Sequence, residues 1–409
     1  MFGDRYLDID YLSLDLMAIP PKIILKKGRE KPLLRGHPWV FSGAVDRVEG
    51  EISPGDIGEV YSIEGEFLGI GHLNPRSQIF FRLLTSQKQE VGASFYRERI
   101  VEAFRLREQW LKGTTNAYRV VNGEGDFLPG FIVDRYGGVF VIQFLTAGME
   151  RLKGVFIDIL AGEFHPESIY ERSDVATRKE EGLHESKGLL YGKDIPDPAE
   201  IEERGCRFRV NLKEGQKTGF YLDQRENRNR LREVSQGKHM LDVCSYTGAF
   251  SVYAGLGGAR EVTLIDSSQD ALERAEGHFH LNHLERLSPR LIRGDAFEAM
   301  RSLQPEYDIA ILDPPPFAKK KGDIPKASRG YKDLNLQAFR VLKREGLLFT
   351  FSCSHHIDWN LFQKVVFSAA VDAGKKVQFL GRMGHPVDHP VNLSHPEGEY
   401  LKGFICRVL

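Results

Sequence analysis

The sequence predicts an α/β protein in which a C-terminal, doubly wound, Rossmann-like parallel sheet follows a small N-terminal β-barrel and an α/β middle domain. Three observations carry that prediction. From His239 onward short apolar strands alternate with helical patterns, the mark of βαβ units. Between Pro21 and about Leu84 brief apolar runs are separated by turn signals such as SPGD and HLNPRS, the pattern of a small barrel. The 409 residues allow two to four domains at roughly 100 to 200 residues each. The expected division is an extension over residues 1–20, a barrel over 21–90, a middle domain over 91–210 and the large sheet over 211–409.

Composition excludes several classes. The chain is 41% hydrophobic and 28% charged, and no apolar run approaches the ~20 residues that span a bilayer, so no membrane partner is expected. Its net charge of −1 gives no global basic field, so any nucleic-acid site must come from local patches. Four scattered cysteines (Cys206, Cys244, Cys353, Cys406) make neither a disulfide framework nor an all-cysteine zinc site, which fits a reducing cytoplasm. The first twenty residues carry Asp4, Asp8, Asp10 and Asp15 and lack the basic start and apolar core of a secretion signal.

In the barrel, the strands IILKK, WVFSGAV, IGEVYSI, EFLGIGHL and QIFFRLL are apolar enough to close a core. Between Lys22 and Arg47 stand seven basic residues, Lys26 and Arg35 among them, against Glu30 and Asp46, with Trp39 and Phe41 interleaved. Such a stripe is either a solvated face or an RNA-binding surface, and the sequence leaves both open. In the middle domain, residues 94–112 read as an amphipathic helix, 147–160 as another, and YRVVNGE and LPGFIVDRYGGVFVIQFL as strands. The charged stretch IYERSDVATRKEEGL, residues 169–183, is expected to be a surface ion-pair network. A hairpin-like segment with Gly215 and Gly219 around Gln216 and Lys217 leads into the third region.

The strands of the large sheet are HMLDVC, EVTLID, PRLIRGD, YDIAILD, GLLFTFSC, KVQFL and YLKGFICRVL. Helices are expected over 269–282, 297–303, 332–343 and 359–373. Residues 381–399 show no helical pattern, so the last strand is expected to enter antiparallel. Five βα units and a closing hairpin outline a class I methyltransferase fold.

Ligands of open α/β sheets bind outside the strand carboxyl ends. The first strand ends at Asp242, the second at Asp266, 24 residues on, where an acid meets a ribose hydroxyl, and the third at Asp295. Each acid could also be a plain helix N-cap. The first turn offers Gly248 without the G-x-G-x-x-G that brings backbone amides to a pyrophosphate, so a nucleoside ligand such as S-adenosylmethionine suits it better than NAD or FAD. The fourth strand ends in DPPPF, whose prolines fix a rigid wall that can hold Asp313 and Phe317 against a flat base. Lys319 and Arg329 follow closely and can meet phosphates. The fifth strand runs into Cys353, either a nucleophile or a small buried apolar residue. His278, His280, His283, His385 and His389 lack the spacing or partners of a zinc site, and no metal is expected.

Together LLRGHPWVFSGAV, YERSDVATRKEEGL, TGFYLDQRENR, LDVCSYTGAFS, DPPPF, RGYKDLN, TFSCSHH, HPVDHPV and PEGEYLKGFICRV make the chain resemble, along nearly its whole length, the bacterial large-subunit ribosomal RNA cytosine-C5 methyltransferases that join a PUA domain to a class I methyltransferase domain. The resemblance implies an RNA-binding PUA module, an RNA-facing middle domain, S-adenosylmethionine as methyl donor, ribosomal RNA as partner and a homodimer. It implies Cys353 as the nucleophile on cytosine carbon 6, Asp313 at the ring nitrogen or exocyclic amine, and Phe317 lining the base pocket. Cofactor contacts carry over onto Gln224, Arg225, Asp242, Tyr246, Gly248, Asp266, Asp295 and Ala296. Two residues depart from the family pattern: Pro316 stands where a lysine is usual, and no second cysteine lies between Asp313 and Phe317. The base for the carbon 5 proton stays open among Asp313, His355 and water. The rival reading is methylation of a guanine or adenine nitrogen, which needs no thiol, so Cys353 discriminates. A decayed RNA-binding or assembly factor fits poorly with Asp266, Asp295, Asp313 and Cys353 all present.

Overall fold

A computed structural model describes residues 20–409, so the extension expected over 1–20 lies, but for Pro20, outside the described residues. The first sheet holds β1 (Lys22–Leu25), β2 (Trp39–Phe41), β3 (Val45–Glu49), β4 (Ile57–Tyr61), β5 (Phe67–Leu73) and β6 (Ile79–Thr85), in the order β2-β6-β5-β4-β1-β3. Its edge strands β2 and β3 are consecutive and joined by one short turn, Ser42–Ala44, so the sheet curls until its ends meet, as a PUA-like barrel does. Ile23, Leu25, Val40, Val60, Leu73 and Phe81 fill it. The helix α1 (Lys31–Leu34) adds Leu33 to that core, with Pro32 in its first turn, where a missing N–H costs nothing.

The second sheet comprises β7 (Ala117–Asn122), β8 (Phe131–Tyr136), β9 (Val139–Phe144), β10 (Ser168–Ser173) and β11 (Ser186–Gly192), paired in reverse chain order. The helices α2 (Ala93–Leu111), α3 (Ala147–Arg151) and α4 (Lys153–Phe164) accompany it; Phe131, Phe144 and Phe156 stack in the core beneath α4. The charged stretch 169–183 is not the surface network the sequence suggested. Glu171, Arg172, Arg178 and Glu181 are all buried, because each meets a partner from elsewhere in the fold. Arg82 on β6 makes a two-pronged contact with Glu181, at 2.7 and 3.2 Å, which fastens the first sheet to the second. Charge runs are a poor guide to exposure when partners come from distant segments.

A hairpin of β12 (Ala199–Glu203) and β13 (Cys206–Val210) precedes α5 (Arg225–Arg232) and the third sheet. Its strands are β14 (His239–Val243), β15 (Glu261–Asp266), β16 (Arg290–Arg293), β17 (Tyr307–Leu312), β18 (Leu342–Ser352), β19 (Val377–Met383) and β20 (Lys402–Val408), ordered β16-β15-β14-β17-β18-β20-β19. The first five are parallel, and β20 runs antiparallel between β18 and β19, as expected from the loop before it. Both faces are covered: Met240, Ile309 and Phe349 join one core, while Leu241, Ala310 and Leu348 join the other. The covering helices are α6 (Ala249–Leu256), α7 (Gln269–Leu281), α8 (Ala296–Arg301), α9 (Ile324–Val341) and α10 (Trp359–Asp372). Helix α9 starts eight residues before the sequence reading placed it. Pro325 sits harmlessly in its first turn, and Ala327, Tyr331, Leu334 and Ala338 form a buried stripe at helical spacing. Among the described residues no helix is long and apolar enough to cross a membrane.

Candidate active site

The chain order reverses between β14 and β17, so a crevice opens at the carboxyl ends of these strands and their neighbours. Asp242, in β14, is buried; Ser251 donates to its Oδ2 at 2.7 Å, and Oδ1 has no protein partner. Burial, with Asp313 and Asp266 nearby, pushes its carboxyl up to about 7 against the Ser251 hydrogen bond. The turn that follows is tight: Cys244, Tyr246 and Gly248 all take left-handed φ values, and a Cβ at Gly248 would lie 2.8 Å from the Ala275 methyl. Non-glycine residues held there mark a backbone over-determined by its surroundings.

Asp266 fixes that turn. Its Oδ2 accepts from the Tyr246 N–H at 2.8 Å and its Oδ1 from the Ser268 N–H at 2.9 Å. Asp295 is the N-cap of α8, accepting from the N–H groups of Phe297 (2.9 Å) and Glu298 (3.2 Å), with Ala296 opening the helix. The capping alternative for Asp295 therefore holds geometrically, though the residue is exposed and carries a second oxygen. Three carboxylates at adjacent strand ends, one with an orphaned buried oxygen, and no glycine-rich phosphate cradle fit a positively charged nucleoside. That is the chemistry of S-adenosylmethionine.

The opposite wall carries the reacting groups. Asp313 follows β17, and Gln224 Nε2 donates to its Oδ2 at 3.0 Å, while Gln224 Oε1 accepts from Asn227 at 2.6 Å. The Gln224 amide is thus occupied at both ends, and what it orients is Asp313. Burial and the neighbouring Asp223 raise the Asp313 carboxyl to about 7, against Lys217 and Gln224. Cys353 leaves the end of β18, the strand beside β17, with its Sγ 3.8 Å from the Pro314 carbonyl. Burial first and Asp313 second push its thiol up to about 12, with Lys217 opposing. Ser354 joins the two loops: its hydroxyl accepts from the Ala318 N–H at 3.2 Å and lies 3.0 Å from the buried Tyr331 hydroxyl. Phe317 packs on Tyr331 with ring centroids 4.7 Å apart and remains half-buried at the pocket edge.

Arg225 is corrected by the structure. It is 0% exposed; its guanidinium pairs with Asp388 and donates to the Ala117 carbonyl at 3.3 Å, so it braces α5 and does not face the cleft. Lys319 and Arg329 are exposed, the first after the DPPPF loop and the second on α9. Lys26 and Arg35 are exposed on the first sheet's domain, beside a groove of about 260 Å³ lined by Arg29, Trp39 and Phe41. The structure therefore gathers Cys353, Asp313, Gln224 and Phe317 on one wall and Asp242, Tyr246, Gly248 and Asp266 on the other.

Sequence reasoning missed a buried polar cluster beneath the reacting wall. Asp223 accepts from Lys217 and, at 2.7 Å, from Tyr400, and Lys217 lies over the rings of Tyr221 and Tyr400. Only Asp223's place in the FYLDQR segment hinted at it. His278, by contrast, is a satisfied core histidine, bonded to the Thr247 carbonyl at 2.9 Å and to the Arg209 backbone at 3.0 Å. Among the described residues no group of three or more His, Cys, Asp or Glu is placed to hold a metal ion.

Comparison with known proteins agrees with this architecture. Residues 23–86 match the model of a PUA-like domain, and residues 188–386 that of an S-adenosylmethionine-dependent methyltransferase. A protein of Cronobacter sakazakii named ribosomal RNA large subunit methyltransferase I is 42% identical over 394 residues, covering 95% of this chain and 99% of its own. The protein of the same name from Vibrio vulnificus is 43% identical with the same coverage. A chain from Streptococcus mutans described as a SAM-dependent methyltransferase superposes with a TM-score of 0.81 at 26% identity, over 95% of this chain and 100% of that one. A further methyltransferase, solved in complex with SAH, gives 0.83 at 26% identity and the same coverage.

Proposed function

The chain belongs to the ribosomal RNA large subunit methyltransferase I family, and from that premise we propose that it methylates carbon 5 of a cytosine in large-subunit ribosomal RNA through a covalent adduct with Cys353. It is an S-adenosylmethionine-dependent methyltransferase. When bound, S-adenosylmethionine supplies a methyl group on a sulfonium, an electrophile for an electron-rich carbon. Asp242, Asp266 and Asp295 would hold it, with Tyr246, Gly248 and Ala296 shaping the cleft around it. Residues 21–90 and 91–210 serve as the RNA-facing modules, and 211–409 as the catalytic domain.

The observation that carries the reading is the placement of a thiol and a carboxyl at the ends of adjacent parallel strands, joined through Ser354. A carboxyl that titrates near 7 can take the proton of the Cys353 thiol as sulfur bonds to carbon 6, and pass it to the ring nitrogen. Carbon 5 then becomes nucleophilic enough to accept the methyl group. Loss of the carbon 5 proton to a base in the cleft breaks the C–S bond and returns the thiolate, and the ring nitrogen gives its proton back through Asp313 to the sulfur. Phe317 lines one side of the base, and the target nucleotide must be unpaired or flipped to reach the wall. Nitrogen methylation leaves Cys353 without a task.

Ribosomal RNA incubated with the protein and labelled S-adenosylmethionine, then digested to nucleosides for mass spectrometry, tests the proposal. Wild type is expected to yield labelled 5-methylcytidine. Cys353→Ala is expected to yield none while binding the cofactor within about twofold of wild type, because the thiol acts on the base and not on the methyl donor. Label on guanosine or adenosine, or turnover by the alanine variant, overturns it.

A further inference from the structure

We propose that Lys402 is a positioning residue for Cys353, holding the Ser352–Ser354 turn from the opposite strand and adding a buried cation beside the thiol as it ionises; this rests on the covalent reading above. Lys402 opens β20 and pairs directly with Ser352 in the β18–β20 ladder. Residues opposite each other in an antiparallel pair present their side chains to the same face. The Lys402 ammonium donates to the Ser354 carbonyl at 3.0 Å, so one side chain spans the residues on either side of Cys353. It is 2% exposed, and no carboxylate lies in ion-pair contact with it among the described residues.

A buried ammonium without a contacting counter-ion is costly, and it persists where a negative charge is to be met. Burial lowers the Lys402 ammonium to about 8, with Cys353, Glu399 and Asp358 opposing, and the last two are exposed and screened by water. The remaining groups near the pair supply that charge only in part. Lys217 favours the Cys353 thiolate, and Asp223, in direct contact with Lys217, opposes it. Asp313 disfavours the thiolate, and the His355 and His385 imidazoles are shifted down by desolvation, with the Lys402 charge adding to the effect. Lys402 keeps its own protons throughout: the thiol proton leaves for Asp313, sulfur bonds to carbon 6, and the ammonium lowers the cost of the charge that sulfur carries in between.

The test separates charge from hydrogen bonding at this position. Lys402→Gln keeps a donor for the Ser354 carbonyl and loses the charge; Lys402→Arg keeps both. The rate of Cys353 alkylation by iodoacetamide is followed against pH by peptide mass spectrometry, which distinguishes it from Cys206, Cys244 and Cys406. Lys402→Gln is expected to move the alkylation profile up by about one pH unit, a roughly tenfold slower reaction at pH 7.5, and Lys402→Arg to stay within about threefold of wild type. An unchanged profile in Lys402→Gln, or an arginine variant as slow as the glutamine one, overturns the inference. Should Lys402→Gln fail to fold, the arginine variant alone decides: its rate relative to wild type must rise between pH 7 and 9.5, because the lysine loses its charge across that interval and arginine does not, and a flat ratio overturns the proposal. The two failures are read separately: alkylation reports the Lys402–Cys353 relation, and the covalent reading falls if wild-type protein makes no Cys353-dependent 5-methylcytidine.

Discussion

The surroundings of Asp313 act on it in opposite directions. Burial and Asp223 favour its neutral form, and Gln224 and Lys217 favour its charged form, which leaves a carboxyl that changes state near neutrality, at about 7. If the carboxylate receives the thiol proton, methylation must fail as Asp313 becomes protonated. The expected result is a kcat/KM that falls tenfold per pH unit below about 7, and an Asp313→Asn variant that is about 10²- to 10⁴-fold slower and has lost this limb. A wild-type profile flat from pH 6 to 8 removes Asp313 from proton transfer. This residue, like Cys353, Asp242 and Asp266, was legible in the sequence because strand ends in a βαβ pattern can be counted without knowing any long-range contact. Arg225 was not. Its partner Asp388 is 163 residues away, and nothing local distinguishes a buried guanidinium from one that faces a ligand.

The same limit governs whole elements. Residues 384–399, between β19 and β20, read only as a loop without helical pattern, yet they form a strap that touches all three parts of the molecule. His395 packs on Trp39 of the first sheet at 4.4 Å between ring centroids, and Pro390 accepts from Asn122 of the second sheet's domain at 2.9 Å. The fully buried Asp388 binds Arg225 of α5, the Arg119 N–H at 3.0 Å, and, through its carbonyl, Arg107 of α2 at 2.9 Å. Burial alone would raise the Asp388 carboxyl, but Arg225 and His389 hold it well below the usual carboxylate range. Its folded pKa is therefore depressed, so its stabilisation is present above the unfolded value near 4 and is lost as pH falls through the folded one. Asp388→Asn leaves Arg225 buried without its counter-charge and is expected to lose about 3–5 kcal/mol at pH 7 by urea unfolding. That deficit should shrink below pH ~4, where the wild-type carboxylate also begins to lose its advantage. A deficit constant down to pH 3 assigns the loss to packing instead of charge.

At the scale of the molecule, buried and half-buried polar contacts fix the three sheets to one another. Arg82 and Glu181 join the first to the second, Asp134 on β8 accepts from Thr218 ahead of α5 at 2.6 Å, and Trp39 donates to Glu124 at 2.9 Å. Desolvated pairs of this kind tolerate little relative motion, since separating them strands a charge in the interior. The basic and aromatic groove by Arg29, Trp39 and Phe41 is thus held at a set orientation to the cleft where Cys353 and Asp313 stand. If RNA crosses both, the exposed Lys26 and Arg35 act on affinity through phosphates, at a distance from the chemistry. Replacing both by alanine is expected to flatten the slope of log K against log salt by about two and to weaken RNA binding most at low salt. S-adenosylmethionine affinity should stay unchanged, and the methylation rate at saturating RNA should hold within about threefold, because the substitutions lower uniform binding and leave the reacting wall untouched. A salt slope equal to that of wild type removes Lys26 and Arg35 from the RNA path and leaves Lys319 and Arg329, beside the cleft, as the phosphate contacts.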